Sequence, residues 1–153
     1  MIIKRVVFDV DGVFTNGQFI YDAGGKQYKI FGAHDSDGVR MLKSKGIHVD
    51  AISADRRGFS ITKKRMDDIG INVKLVSEVE RTAYFQNFQD LSTTCFMGDG
   101  HHDTEVFKIV AYSIAPANAV NCALESADFV TKSKGGEGAV YEASLHILNE
   151  LED

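Results

Sequence analysis

The sequence predicts an α/β domain with a mainly parallel sheet, and three observations support this prediction. Strand-like and helix-like segments alternate along the chain, as is typical of parallel sheets joined by right-handed crossovers. Polar clusters follow three of the strand-like runs, and such sheets bind ligands beyond the carboxyl ends of their strands. The length of 153 residues predicts one domain, residues 1–153, with enough chain for a substantial core.

Apolar periodicity and turn residues define the elements of the first half. Gly46 and Gly70 each follow a helix-like run and mark its end. The segment Asp22–Lys26 separates two β-prone runs and predicts a hairpin with a long loop. The predicted elements are a strand at 2–10, hairpin strands at 18–21 and 27–31, a helix at 36–45, a strand at 47–53, a helix at 58–69 and a strand at 72–76.

The second half continues the same alternation up to the end of the chain. Aromatic residues at Tyr84, Phe85 and Phe88 give the first of its helices an apolar side. The predicted helices cover 79–91, 102–109, 117–126 and 138–151, and the predicted strands cover 93–97, 110–114 and 128–131.

Composition and charge exclude several classes of function. A net charge of −5 disfavours general electrostatic binding to nucleic acid. No segment is long and apolar enough for a transmembrane helix, and no signal peptide precedes the first strand, so we expect no membrane partner. Cys95 and Cys122 lack the spacing of metal ligands and are expected to be buried free thiols, which favours a cytoplasmic location.

The most informative segment is Asp9-Val10-Asp11-Gly12, which follows the apolar run Val6–Phe8. Two carboxylates at the end of a buried strand are unfavourable unless something compensates their charge, and a bound cation does so. Alternate strand residues face the same side, so both carboxylates are expected to address one point. The alternative reading of this segment is an Asp-Gly turn after a strand.

Two further polar clusters follow predicted strands. Asp99 and Asp103 lie four residues apart at a predicted helix start, where they either cap the helix or, with the first carboxylate pair, bind a hard cation. Oxygen ligands favour Mg²⁺ over zinc. Ser53 ends another strand and either satisfies local backbone groups or contacts a ligand.

These three clusters resemble motifs of the haloacid dehalogenase superfamily, namely DxDGx(V/T)T, a strand-end Ser or Thr, and GDxxxD. The resemblance implies that Asp9 is a nucleophile that forms an aspartyl-phosphate and that Asp11 is the general acid and base. It implies that Ser53 holds a phosphoryl oxygen. It also implies that Asp99 binds Mg²⁺ with Asp9 and the backbone carbonyl of Asp11, and that Asp103 acts beside them.

The superfamily usually supplies a lysine near the start of the helix after the third sheet strand. Arg81 is the positional match here, and it keeps the charge but replaces a point charge by a planar fork. Either Arg81 fills the role, or another residue such as Lys74 does, or activity is weakened.

Nearly the whole chain is similar to the capless subfamily of 3-deoxy-D-manno-octulosonate 8-phosphate phosphatases, whose relatives act on nine-carbon ulosonic acid 9-phosphates. The evidence is a hairpin flap at about 17–31 in place of a cap domain, and the segment Gly135–Glu142. The resemblance implies a Rossmann-like three-layer fold and a Mg²⁺-dependent phosphatase for a sugar acid phosphate. The alternatives are a non-catalytic or weakly active tetramerisation module, like the C-terminal domain of sialic acid cytidylyltransferases, and a broad small-molecule phosphatase.

The subfamily also implies a homotetramer in which a neighbour's hairpin and C-terminal loop close each active site. The hairpin carries four aromatics, Phe19, Tyr21, Tyr28 and Phe31, and such a ribbon either packs on copies of itself or folds onto its own domain.

Residues that depart from the subfamily concern the substrate. Tyr141 stands where octulosonate phosphatases carry an arginine, which questions the eight-carbon substrate. Arg56, Arg57 or Lys26 is a candidate replacement cation. His101 and His102 are unusual in the GDxxxD motif and are given no metal role; the sequence leaves carbon number open.

Overall fold

A six-stranded parallel sheet forms the centre of the molecule in the computed structural model, which describes residues 1–151. The strands are β1 (Arg5–Asp9), β2 (Phe19–Asp22), β3 (Gly25–Lys29), β4 (His48–Ser53), β5 (Asn72–Leu75), β6 (Thr94–Met97), β7 (Tyr112–Ala115) and β8 (Phe129–Val130). The sheet has the order β5-β4-β1-β6-β7-β8, while β2 and β3 pair antiparallel as a separate hairpin. The last two residues of the predicted domain, 152 and 153, lie outside the described part.

Six helices cover both faces of this sheet. They are α1 (Asp35–Ser44), α2 (Phe59–Ile69), α3 (Arg81–Gln86), α4 (Asp103–Phe107), α5 (Asn121–Ser126) and α6 (Ala139–His146). Short 3-10 turns at Glu78–Glu80 and Leu91–Thr93 and a π-helical turn at Ile147–Leu151 complete the regular structure of the described residues.

The core has two halves, one on each side of the sheet, because successive strand residues face opposite sides. Val6 and Phe8 of β1 belong to the half formed with α1 and α6, and Val7 between them belongs to the half formed with α3, α4 and α5. All three side chains are fully buried. The predicted α/β fold, a three-layer sandwich with a parallel sheet, is therefore confirmed.

Most predicted elements are present, and the differences have local causes. The predicted helix at 79–91 is a 3-10 turn followed by the six-residue α3, because Phe85 packs against Phe96, with 4.7 Å between ring centroids, and the chain turns there. The predicted helix at 117–126 begins only at Asn121, since the backbone N–H of Val120 is bonded to Asp99 O at 2.9 Å.

The hairpin turn is shorter than predicted. Asp22 pairs with Gly25, so the connection consists of Ala23 and Gly24 alone. The Asp22 carboxylate accepts the backbone N–H of Gly24 at 2.7 Å, which stabilises this tight turn.

The two cysteines differ in environment. Cys95 is a buried free thiol, as predicted, but Cys122 is only half-buried and its Sγ lies 3.7 Å from Nδ1 of His101, so its predicted burial is wrong. The cytoplasmic location inferred from these thiols stays a prediction. Within residues 1–151, no helix combines the length and apolar character required to cross a bilayer.

Asp35, the first residue of α1, is a buried carboxylate whose charge is only partly compensated. It is 1% exposed, and neither carboxylate oxygen has a hydrogen-bond partner among the described residues. Burial raises its pKa to about 7, opposed by the charge of Arg65 and the backbone of Tyr141. Ionisation of this side chain therefore opposes folding.

The Asp35→Asn variant is expected to gain stability relative to the wild type as the pH rises. The folded-state pKa exceeds the unfolded value of about 3.9, so wild-type stability falls between pH 4 and pH 7, whereas asparagine cannot ionise. The difference in free energy of unfolding should grow by about 2–3 kcal/mol from pH 5 to pH 8 in urea titrations. The exposed Asp37→Asn on the same helix is the control, and an equal pH dependence of both variants would contradict the expectation.

Candidate active site

The candidate site lies at the carboxyl edge of the sheet, where the chain order of the strands reverses. From β1 the chain passes to β4 on one side and later to β6 on the other, which leaves a crevice at their carboxyl ends. A cavity of about 590 Å³ opens there. Its lining consists of Asp9, Asp11, Gly17, Phe19, Lys26, Ala54, Asp55, Ser77, Glu78, Val79, Arg81, Asp99, Gly100, His101, His102 and Asp103.

Three carboxylates converge at the base of this cavity. Asp9 ends β1, Asp99 lies two residues after β6, and Asp103 begins α4. One oxygen of each lies within 4.8 Å of the others, and among the described residues this is the one such cluster of acidic, histidine or cysteine side chains. Sequence spacing predicted the group, and the structure brings it together.

Arg81 joins this cluster as its cation. Its Nη1 donates to Asp9 Oδ2 at 3.2 Å and to Asp103 Oδ1 at 2.5 Å, and the side chain is 4% exposed. Two carboxylates raise the pKa of the guanidinium despite its burial, so it stays charged. Lys74, the alternative cation, is exposed on β5 with its Nζ 5.9 Å from the Tyr84 ring centre, and it does not line the cavity.

Asp103 is fully committed to contacts within the protein. Its Oδ2 accepts the backbone N–H groups of Asp99 and Gly100, both at 2.9 Å, while Oδ1 accepts from Arg81. This carboxylate therefore fixes the loop after β6, whereas the predicted capping is absent, since no side chain caps the start of α4. Asp9 accepts from the Val10 N–H and from Arg81, and together with Asp99 it lines the cavity, where both can face a ligand.

The pKa values of Asp9 and Asp99 reveal crowded negative charge. Burial raises the pKa of Asp9 well above its usual range, and repulsion from Asp103 and Asp99 adds to this against the attraction of Arg81. Burial and the charge of Asp103 raise the pKa of Asp99 to about 6. A cation between these carboxylates would remove the repulsion, which is a fit for a divalent metal.

The backbone at Gly12 provides a second indication that the cluster is built for an ion. A Cβ at this position would coincide with the carboxylate of Asp99, so only glycine leaves the space that this side chain occupies. The φ of +87° at Gly12 also favours glycine. The oxygen-only donor set suits Mg²⁺ rather than zinc.

Asp11 faces a different part of the cavity from the three-carboxylate cluster. Its Oδ1 accepts from Lys29 Nζ at 2.6 Å, and its Oδ2 accepts from the hydroxyl of Ser53 at 2.9 Å. Ser53 also accepts the backbone N–H of Asp55 at 3.1 Å. The predicted residues Asp11 and Ser53 are thus brought into direct contact.

The sequence did not identify Lys29 as a site residue. Its ammonium bonds Asp11, Asp55 Oδ2 at 2.8 Å and Thr62 Oγ1 at 2.8 Å. Lys26 bonds the same Asp55 oxygen at 2.6 Å, and although burial raises the pKa of Asp55, hydrogen bonds from both lysines outweigh it and lower the pKa to about 2. The one feature of the sequence that could have indicated a role at the site was the location of both lysines on the predicted hairpin.

Asn118 is a second residue that sequence reasoning missed. Its Nδ2 donates to Gly12 O at 3.0 Å, and its Oδ1 accepts the N–H of Gly135 at 2.7 Å. Gly135 and Gly136 pack on the backbone of the loop after β1, where a Cβ on Gly135 would collide with Gly12 and Thr15. The glycine loop at 135–136 thus packs against the loop after β1 of its own chain, and its contact with a neighbouring subunit stays a prediction.

The remaining candidate residues divide between the cavity and the surface. Lys26, His101 and His102 line the cavity. Arg56 and Arg57 are exposed and do not line it. Tyr141 lies beside His34, at 6.1 Å between ring centres, in a separate depression of about 410 Å³. Of the three candidate replacement cations, the structure therefore brings Lys26 to the site.

A parallel sheet with carboxylates at the ends of β1 and β6 defines the class of haloacid dehalogenase-like hydrolases, and the comparisons agree. A model of that family, described as haloacid dehalogenase-like hydrolase, matches residues 79–143. The chain is 35% identical over 151 residues to 3-deoxy-D-manno-octulosonate 8-phosphate phosphatase of Haemophilus influenzae, covering 95% of this chain and 83% of that protein. The chain belongs to this family of phosphoric monoester hydrolases within the haloacid dehalogenase superfamily, as its motifs predicted.

Solved structures show the same fold. The cobalt-bound phosphatase from Haemophilus influenzae has a TM-score of 0.86 at 34% identity, covering 95% of this chain and 84% of that chain. The Moraxella catarrhalis phosphatase, in complex with magnesium, phosphate and 3-deoxy-D-manno-octulosonate, has a TM-score of 0.84 at 27% identity, covering 95% and 86%. Divalent metals are therefore bound by proteins similar to this one.

Proposed function

We propose that the protein is a Mg²⁺-dependent phosphomonoesterase that hydrolyses a phosphorylated sugar acid of the ulosonate 8- or 9-phosphate class. The observation that carries this proposal is the cluster of Asp9, Asp99 and Asp103 around Arg81 at the base of the cavity. The similarity to octulosonate phosphatases supports the class of substrate.

Mg²⁺ would be held by the carboxylates of Asp9 and Asp99 and by the backbone carbonyl of Asp11. Asp103 would keep Asp99 in place for the ion, because its own oxygens bind Arg81 and the backbone of the loop after β6. When bound, the ion supplies positive charge that neutralises the phosphate and the crowded carboxylates.

Asp9 is proposed to attack the phosphorus atom in line with the ester bond. A bond forms between a carboxylate oxygen of Asp9 and phosphorus, and the bond from phosphorus to the sugar oxygen breaks. Protonated Asp11 gives its proton to that leaving oxygen, so that a neutral alcohol departs and an aspartyl-phosphate remains.

Water then hydrolyses the aspartyl-phosphate. Asp11, now ionised, takes a proton from the water as it attacks phosphorus, which regenerates Asp9 and releases inorganic phosphate. Arg81 stabilises the phosphoryl oxygens, on which charge is spread in both steps. Ser53 donates its one hydroxyl hydrogen to Asp11 in the free protein, so its proposed contact with a phosphoryl oxygen requires the hydroxyl to turn away from Asp11 when the substrate binds. Arg81 Nε has no protein acceptor among the described residues, which leaves one donor for such an oxygen.

Lys26 is the proposed contact for the carboxylate of the substrate. It lines the cavity, and its side chain keeps 12% exposure while paired with Asp55. Tyr141 cannot supply the charge that an arginine gives octulosonate phosphatases. We therefore propose nine-carbon as well as eight-carbon acids as substrates.

Turnover is expected to require Mg²⁺ and to favour sugar acid phosphates. Phosphate release should be measured on octulosonate 8-phosphate, a nonulosonate 9-phosphate and simple sugar phosphates, each with Mg²⁺ and with a chelator. We expect hydrolysis with Mg²⁺ and loss of turnover in chelator, with recovery when Mg²⁺ is added back. Full activity in chelator with no metal retained would reject the mechanism.

The same screen separates the alternatives. Comparable rates on all phosphates would identify a broad phosphatase. A well-assembled oligomer with no turnover on any substrate would identify the non-catalytic module, a role for which the replacement of the usual lysine by Arg81 is the main argument.

A homotetramer formed through the hairpin is part of the proposal. Lys26 and Lys29 attach the hairpin to its own domain. The face of the hairpin that carries these lysines therefore folds onto its own domain, as the alternative interpretation stated. The hairpin also exposes large apolar residues, each 47–65% exposed, namely Phe19, Ile20, Tyr21, Tyr28 and Ile30. Ile20 pairs with Tyr28 on the face that points away from Lys29, whereas Phe19 lies at the cavity beside Lys26. An exposed apolar patch of this kind favours association, and closed symmetry is the usual outcome.

Replacing both Phe19 and Tyr28 by serine is expected to lower the oligomeric order and the turnover of the sugar acid phosphate together. Tyr28 is 65% exposed on the outward face and Phe19 is 47% exposed beside the cavity, so both substitutions remove apolar area that a neighbouring hairpin would cover. Sedimentation velocity and phosphate release measure the two effects, and Ile2→Ser, at an exposed apolar residue away from the cavity, is the control. A wild-type monomer with full activity would sink the proposal.

A further inference from the structure

Lys29 is a buried ammonium that the proposed chemistry does not use. It ends β3, its side chain is 1% exposed, and it is not part of the cavity lining. Burying a charged ammonium costs free energy unless several acceptors surround it. Its position therefore requires a compensating set of contacts, and these contacts indicate what it does.

The three acceptors of Lys29 belong to three different parts of the site. Asp11 lies on the loop after β1, Asp55 follows β4, and Thr62 lies on α2, at 2.6, 2.8 and 2.8 Å from Nζ respectively. Thr62 is itself fully buried. One side chain of the hairpin thus connects the loop that carries the acid–base residue to the two elements packed beside it.

The contact with Asp11 fixes the orientation of its carboxylate. In the free protein Lys29 donates to Oδ1 and the Ser53 hydroxyl donates to Oδ2, which sets the plane of the group. When Ser53 turns away, Oδ2 can carry the proton that is transferred, while Lys29 keeps its bond to Oδ1. Proton transfer requires this plane to be correct, and a misplacement of about 1 Å at a reacting group costs about a hundredfold in rate. Lys29 has no access to the cavity, so it acts through Asp11 and not on the substrate.

We propose that Lys29 is a positioning residue for the acid–base steps. Because Lys29 belongs to the hairpin, these steps depend on the hairpin being packed against its own domain. The inference rests on the proposed role of Asp11. Tyr28 and Lys29 face opposite sides of β3, one exposed and one buried, as neighbours in a strand do. The same strand therefore presents an apolar surface outward and holds the catalytic carboxylate inward.

The test compares leaving groups that differ in their need for a proton. From a sugar acid phosphate the sugar acid leaves as an alcohol, and its oxygen requires protonation. From p-nitrophenyl phosphate the leaving group is p-nitrophenolate, which departs without a proton. In Lys29→Met we expect kcat on the sugar acid phosphate to fall about 10- to 100-fold, while the initial burst of nitrophenolate, which reports attack by Asp9, changes less than about threefold. The burst is measured by stopped flow with Mg²⁺ present.

Gln27→Met is the matched control. Gln27 lies on the same hairpin, but its side chain bonds Asp22 and Gly25 and neither contacts Asp11 nor lines the cavity, so the ratio of the two rates should stay at the wild-type value. Lys29→Gln, which keeps a hydrogen-bond donor, is the second variant in case Lys29→Met folds poorly. It should show a smaller loss of kcat that is again selective for the sugar acid phosphate. Circular dichroism checks the fold of each.

The outcomes separate this inference from the proposed function. A selective loss on the sugar acid phosphate, shared by Asp11→Asn, supports the positioning role. Equal losses on both substrates, or no loss in either Lys29 variant while Asp11→Asn is impaired, would overturn it and leave the proposed function standing. A wild type without turnover on either substrate, or with turnover insensitive to Asp9→Asn, would overturn the proposed function and this inference with it.

Discussion

Replacing Asp9 by asparagine is expected to abolish turnover and to leave no phosphorylated protein. The amide is nearly the same size but is not a nucleophile, and loss of a covalent nucleophile typically costs roughly ten-thousandfold or more in kcat. The substitution also removes one charge from a cluster in which Asp9 already has a raised pKa through burial and its carboxylate neighbours. Folding stability should therefore be retained or increased, which separates chemistry from unfolding.

The measurement is acid-quench trapping of phosphoprotein with radiolabelled substrate, together with steady-state phosphate release. Wild-type protein should yield an acid-stable acyl phosphate that hydroxylamine cleaves. Asp50→Asn is the control, since this carboxylate lies on β4 but pairs with Arg5 and His48 away from the cavity. Near-normal rates in Asp9→Asn would mean that another nucleophile exists.

The sequence was sufficient for the fold and for the carboxylate cluster because both depend on local patterns. Val6, Val7 and Phe8 identify a strand that is buried on both faces, and Asp9 follows directly, so the position of the first carboxylate is fixed by the strand. Asp99 and Asp103 are fixed in the same way by β6 and by the start of α4.

Contacts between distant segments could not be predicted from the sequence. Lys29 contacts Asp11, 18 residues away in the sequence, and Thr62, 33 residues away. The position of the hairpin that carries Lys29 depends on its packing against α2. Asn118 reaches Gly12 over 106 residues. Nothing in the local pattern distinguishes these side chains from surface lysines or turn asparagines, so only the folded chain identifies them.

The predicted ends of two helices were wrong for the same reason. The start of α5 is delayed because the Val120 N–H is taken by Asp99 O, a bond between segments 21 residues apart. The early end of α3 reflects the packing of Phe85 on Phe96. In both places tertiary contacts override a helix propensity that the sequence shows clearly.

Arg81→Ala is expected to cost both activity and stability, because one guanidinium serves two buried carboxylates. Asp9 and Asp103 would be left without their cation, and removing one partner of a buried ion pair typically costs about 3–5 kcal/mol. The loop after β6 would also lose a support, since Arg81 holds the Asp103 carboxylate that fixes Asp99 and Gly100. We expect kcat to fall at least about a hundredfold, as for loss of a preorganised donor to a developing charge.

Arg81→Lys and Lys74→Ala decide which cation fills this role. Lysine restores the charge but not the planar guanidinium whose Nη1 bonds both carboxylates, so Arg81→Lys should recover a measurable fraction of kcat and part of the stability. Lys74→Ala, at an exposed residue beside Tyr84, should remain close to wild type in both. Rates are to be compared below the melting transition of each variant, with chemical denaturation for stability. If Arg81→Ala kept wild-type turnover while folded, the phosphate would have to be met by a different cation, and the buried Arg81 would serve only to neutralise Asp9 and Asp103.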